Sequence, residues 1–163
     1  MRLCSMSCSS FAAVLLMLLT AAAAVAAPAK VCDLMTQQTA AAVFGAPVAP
    51  GRVEMGTPTI TDCRFDANGG RDFAEIGVME NNAMGLPASA MFKIVTTTKP
   101  DPGHTVEAVS GLGEGASFNK GPEDGTLSVL YHDKILLVSA THSRNPGLKA
   151  ALIQAAKQAL PNI

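Results

Sequence analysis

Few residues in this chain are equipped for chemistry. Three histidines, His104, His132 and His142, accompany the methionines Met55, Met79, Met84 and Met91. Imidazole with thioether is a donor set that suits Cu(I), so a copper carrier is one reading. The spacing argues against it: there is no His-x-His, no His-x-x-x-His and no Met-x-x-Met. Methionine is more often a core filler, and Met91 falls on an apolar helical stripe. A hydrolase needs a serine with a base. Ser110 has Ala108 two places before it, so Gly-x-Ser-x-Gly is absent, and Ser128 lies inside an apolar run. His132 and Asp133 are neighbours, which sends their side chains in different directions and fits the tip of a hairpin. Gly111-Leu112-Gly113-Glu114-Gly115 resembles a phosphate loop only superficially, because Ala116 stands where the next glycine would be needed. Glu123 and Asp124 read as a solvated turn. No catalytic, cofactor-binding or metal-binding residue is assigned from these patterns.

The cysteines carry a clearer message. Cys4 and Cys8 fall within an N-terminal stretch that reads as a secretory signal peptide: Arg2, then an apolar run from Phe11 to Ala27 ending in small residues. A membrane anchor of about 17 residues is the rival, at the short end of the spanning range. Ala24-Val25-Ala26 is the preferred cleavage triplet, with Ala27-Pro28-Ala29 second. Cleavage after Ala26 removes residues 1–26 and leaves 27–163 as one expected domain, secreted or periplasmic, with no membrane span. Only Cys32 and Cys63 then remain, an even pair in an oxidising compartment, and a Cys32–Cys63 disulfide is expected. No lipobox-like triplet precedes Cys32, so lipid anchoring is not indicated.

The precursor has a net charge of −1, and losing Arg2 makes it −2. No basic stripe is present, so nucleic acid is a poor partner. Aromatic residues are sparse and there is no tryptophan, which disfavours stacking of sugars or bases.

The elements that must position these residues follow from periodicity. Thr36 caps a first helix ending at Phe44-Gly45, and Pro47 prevents its resumption. Strands are expected at 59–65 and 72–79, joined through Asn68-Gly69. Pro87 opens a second helix to Val95 with Met91, Ile94 and Val95 as its apolar stripe. Weak or short strands follow at 105–109 and 116–119. A hairpin then runs from Thr126 to Ala140, turning at His132-Asp133. Its second strand, Ile135–Val138, is apolar on both sides and should lie centrally. Asn145 caps a last helix, with Pro146 at its first position and Leu148, Ala151, Leu152 and Ala155 as its stripe. Hairpins rather than βαβ crossovers predict an α+β fold: a mostly antiparallel sheet with the helices packed on one side.

Several short motifs recur together: Cys32-Asp33-Leu34-Met35-Thr36, Phe44-Gly45-Ala46-Pro47-Val48, Cys63-Arg64-Phe65 and Gly111-Leu112-Gly113-Glu114. With the terminal Ala-rich helix, this resembles a broad group of small bacterial envelope proteins and lipoproteins of unknown function. That group typically shows Cys-x-Leu-Leu-Thr, Gly-x-Pro-Val, a second cysteine before x-Tyr or x-Phe, and a Gly-Leu-Gly-Asp-like turn. Thr39 departs from the acidic residue often found there, which removes the reciprocal capping box. The resemblance implies a disulfide and an α+β fold, and implies no catalytic residue. The expected role is a non-enzymatic binding or interaction module of the cell envelope. Its partner is expected to be an envelope protein or a small ligand. A small-ligand or copper carrier and a small envelope hydrolase are the alternatives.

Overall fold

The computed structural model describes residues 31–98 and 100–163. The expected signal peptide and cleavage site, at residues 1–26, lie outside them. A 3-10 turn, Val31–Leu34, leads into helix α1, Gln37–Phe44. The strands are β1 (Arg52–Gly56), β2 (Ile60–Ala67), β3 (Asp72–Met79), β4 (Thr105–Val109), β5 (Gly115–Lys120), β6 (Gly125–Tyr131) and β7 (Lys134–Thr141). Helix α2 spans Ala88–Thr97 and α3 spans Leu148–Ala159. All seven strands form one antiparallel sheet in the order β1-β2-β3-β7-β6-β5-β4.

Strand β7 is the middle of the seven, as its two-sided apolarity predicts. Leu136, Val138 and Ala140 face the main core, which includes Phe44 of α1, Phe65, Ile76, Leu127, Val129 and Leu152 of α3. Ile135 and Leu137 face the other way, into a small second core with Ala88, Met91 and Phe92 of α2.

This overturns the expected layering. The helices are not packed on one side: α1 and α3 cover one face and α2 the other. Nor is the sheet mostly helix-covered, because α2 packs chiefly on β6 and β7, with Phe92 reaching Gly115 of β5. The physical reason lies in β7, whose Ile135 and Leu137 would otherwise meet water. The sequence reading also misses β1. Its Arg-Val-Glu-Met alternates over only four residues, too short a run to stand out, and all five residues of the strand are exposed.

Local chemistry explains the helix ends. Thr36 Oγ1 accepts from the Thr39 N–H at 3.1 Å, as an N-cap should. Gly45 ends α1 at φ +87, and its N–H returns to Ala41 O. Asn145 departs from its expected role, because α3 begins only at Leu148. Its side chain instead donates Nδ2–H to Ala42 O at 2.7 Å and accepts the Gly147 N–H at 2.7 Å. Ser143 Oγ and the Arg144 N–H both reach Phe44 O. The last carbonyls of α1, which no helix turn can satisfy, are thus bonded by the segment entering α3.

Candidate functional site

Helix α2 is where the sequence and the structure part most informatively. Met91, Ile94 and Val95 form one apolar flank at i, i+3, i+4. Burial of the whole flank is expected, yet only Met91 is buried. Ile94 remains 50% exposed and Val95 43%. The sheet beneath α2 offers the small second core, and the Phe92 ring lies over Gly115 of β5. That contact covers one flank of α2 and leaves Ile94 and Val95 in solvent. Met84 and Leu86, in the turn that enters α2, are exposed as well.

This turn is fixed rather than loose. Ala83 is buried, and its N–H donates to Glu80 O. Asn81 Oδ1 accepts from the Ala88 N–H at 3.1 Å, which satisfies the first free donor of α2. Glu80 pairs with Lys134 at 3.2 Å. Asn82 and Met84 adopt left-handed conformations, φ +60 and +58, uncommon for a methionine. At the far end, Thr96, Thr97 and Thr98 turn their hydroxyls back onto carbonyls of α2. The result is a short, held helix presenting exposed Met84, Leu86, Ile94 and Val95.

On the same face of the sheet, β1, β2 and β3 carry charges instead. Arg64 Nε donates to Asp66 Oδ1 at 2.6 Å, and Arg52 Nε to Asp66 Oδ2 at 3.0 Å. The Arg64 guanidinium lies 3.7 Å from the centre of the Phe73 ring. Burial works against the charged form of Asp66, but the two guanidinium groups outweigh it and hold the carboxyl below its ordinary value. Glu75 behaves oppositely. Burial, helped by the nearby Asp62 charge, raises its pKa, and Arg64 only partly offsets this.

A cleft of about 280 Å³ opens between the β5–β6 turn and the start of α3. Phe118 and Leu148 supply apolar walls, and Lys120, Asp124 and Lys149 supply charge. Lys149 Nζ donates to Glu107 Oε2 at 2.5 Å, which lowers the Glu107 pKa. Glu123 and Asp124 lie in the solvated β5–β6 turn, as expected, and that turn forms one wall of this cleft.

The sequence-flagged residues do not converge. His104 Nδ1 is 3.3 Å from Asn119 Oδ1, and its Nε2 is 4.0 Å from Asp124. His142 Nδ1 is 3.2 Å from Asp72, and its Nε2 is 3.9 Å from Glu123. His132 lies at the opposite end of β6, with its ring 4.1 Å from that of Tyr131. Met79 packs against the second core, Met91 belongs to it, and Met55 and Met84 are exposed. Among the described residues, no three His, Cys, Asp or Glu side chains are grouped as metal ligands. Ser128 is buried on β6 opposite Ser117. No serine hydroxyl is hydrogen-bonded to a histidine among the described residues. Gly113 belongs to a plain turn: Leu112 plugs the core and the Glu114 N–H donates to Leu130 O. Cys32 and Cys63 form a disulfide, which ties the 3-10 turn to β2. Among the described residues, no helix is long and apolar enough to cross a membrane.

No family model matches this chain, and no curated protein does. Among solved structures the chain is similar to a GTP binding regulator from Thermotoga maritima. The identity is 9%, with 77% of this chain and 88% of that chain covered at a TM-score of 0.42. A likeness of that size says nothing of what this chain does.

Proposed function

We propose that this protein is a secreted or periplasmic, non-enzymatic interaction module of the cell envelope, with α2 and its entry turn as the partner-binding face. The observation that carries the reading is the exposed flank of α2. Ile94 and Val95 lie in the helical phase of a core stripe, yet half of Ile94 and nearly half of Val95 meet water. Contiguous exposed apolar side chains on a fixed element are characteristic of a contact surface. The disulfide is compatible with an oxidising compartment. A partner offering an apolar groove fits the geometry, since Met91 anchors α2 to the sheet and leaves Ile94 and Val95 of the same stripe free for it.

The test is recovery of a partner from envelope extracts with tagged wild-type protein and with Ile94→Asp. A discrete protein recovered by the wild type and lost with the folded variant is the expected result. Identical recovery by both would sink the reading. A small-ligand carrier is the second reading, and the cleft beside Lys120 and Lys149 favours it. A ligand that co-purifies and is lost on substituting Lys120 would put that reading first.

A further inference from the structure

Among the described residues, strand β1 ends the sheet on its side and is paired with β2 alone. Val53 and Met55 expose 56% and 45% of their surface. An outer strand keeps a row of backbone N–H and C=O groups without a strand partner, a template for another strand. Proteins blunt such edges with short strands, bulges and charges. β1 is short and has a bulge between Val53 and Gly56. Its charges, however, are of opposite sign and flank Val53, with Arg52 before it and Glu54 after it.

That arrangement is self-complementary. When two copies pair antiparallel about a twofold axis at Val53, residue 52 of each stands opposite residue 54 of the other. Both cross-strand pairs are then arginine with glutamate, and the exposed Val53 meets its own copy. Asp66 holds Arg52 at 3.0 Å, which orders its guanidinium before association, and pairing exchanges the intrachain Arg52–Glu54 contact for two between copies. Arg52 and Arg64 largely offset Glu54, Asp66 and Asp62, the last of which accepts the Met55 N–H of β1, so the repulsion between two copies at this edge is small. We infer that β1 pairs with β1 of a second copy, centred on Val53, and continues the sheet across the twofold axis. The bulge keeps the paired stretch short, so the dimer depends on concentration. This surface is separate from α2 and does not rest on the partner-binding reading.

Sedimentation velocity on the disulfide-intact mature protein, from micromolar to millimolar, tests the inference. A monomer–dimer equilibrium is expected. Arg52→Glu and Glu54→Arg, each checked for folding by circular dichroism, should weaken the dimer by roughly tenfold or more, because both pairs become repulsive. An equimolar mixture of the two variants should restore it, since the acidic edge of one then faces the basic edge of the other. Lys157→Glu on α3 should leave the equilibrium unchanged. A monomer at every concentration, a dimer indifferent to both substitutions, or no recovery in the mixture would overturn the inference. Loss of the dimer on Ile94→Asp would also overturn it, by moving the contact between copies to α2.

Discussion

Three substitutions show how local physics sets measurable limits. Gly113 has φ +52, and a Cβ there would lie 2.2 Å from Leu130 O. Because the obstacle is backbone, nothing can swing aside. Gly113→Ala should therefore cost more than about 2 kcal/mol in denaturant unfolding. The sequence shows a Gly-rich turn here but cannot show this approach, which depends on β6 passing alongside. His132 and Asp133 occupy a two-residue turn with both φ positive, +46 and +61. Asp133→Gly removes a left-handed residue at the cost of some chain entropy, and should raise stability by about 0.5 kcal/mol. Glu75 makes a pH prediction. Burial and Asp62 raise its pKa in the folded state, so the folded chain holds this proton more tightly than the unfolded one. The resulting stabilisation is full below the ordinary value of 4.5 and is lost as pH rises through the folded pKa. Glu75→Gln should raise the melting temperature near pH 7 and lose that advantage below about pH 4. Thermal unfolding across pH checks this, and an advantage that persists in acid would contradict it.

At the scale of the element, α2 separates stability from recognition. Met91 fills the second core, so Met91→Ala should cost about 2 kcal/mol or more. Ile94→Ser should cost less than about 1 kcal/mol, because half of that side chain is already in water. A large loss on Ile94→Ser, measured by urea unfolding, would mean that the flank is structural rather than a contact surface. Periodicity identifies α2, but only Met91 of its stripe is buried, because periodicity cannot say how much sheet lies beneath. That depends on which strands the helix crosses. The first helix, the Asn68-Gly69 hairpin and the β6–β7 hairpin are legible because caps, turn residues and alternation are local signals. Asn145 is misread for the converse reason. A residue suited to capping its own helix instead bonds Ala42 O at the end of α1, more than a hundred positions away.

For the whole molecule, the sheet explains both what was readable and what was not. The two-sided apolarity of Ile135–Val138 places β7 centrally and requires cover on both faces. The expectation of helices on one side fails because it weighs connectivity above that requirement. The cysteine pair was legible from compartment and parity alone, and its bond closes a separation of 31 residues. Replacing Cys32 and Cys63 together with alanine should cost about 3–4 kcal/mol on the chain-entropy argument, visible as a lowered denaturation midpoint. The candidate interaction face was not legible, because exposure of an apolar side chain is a property of the assembled sheet. The central claim is that this face meets a partner, and site-specific photo-crosslinking in intact cells tests it most directly. A photoreactive residue at Val95 should give a discrete adduct with another protein, and the same residue at Lys157 on α3 should give none. Equal labelling at both positions, or no adduct at Val95, would contradict the account.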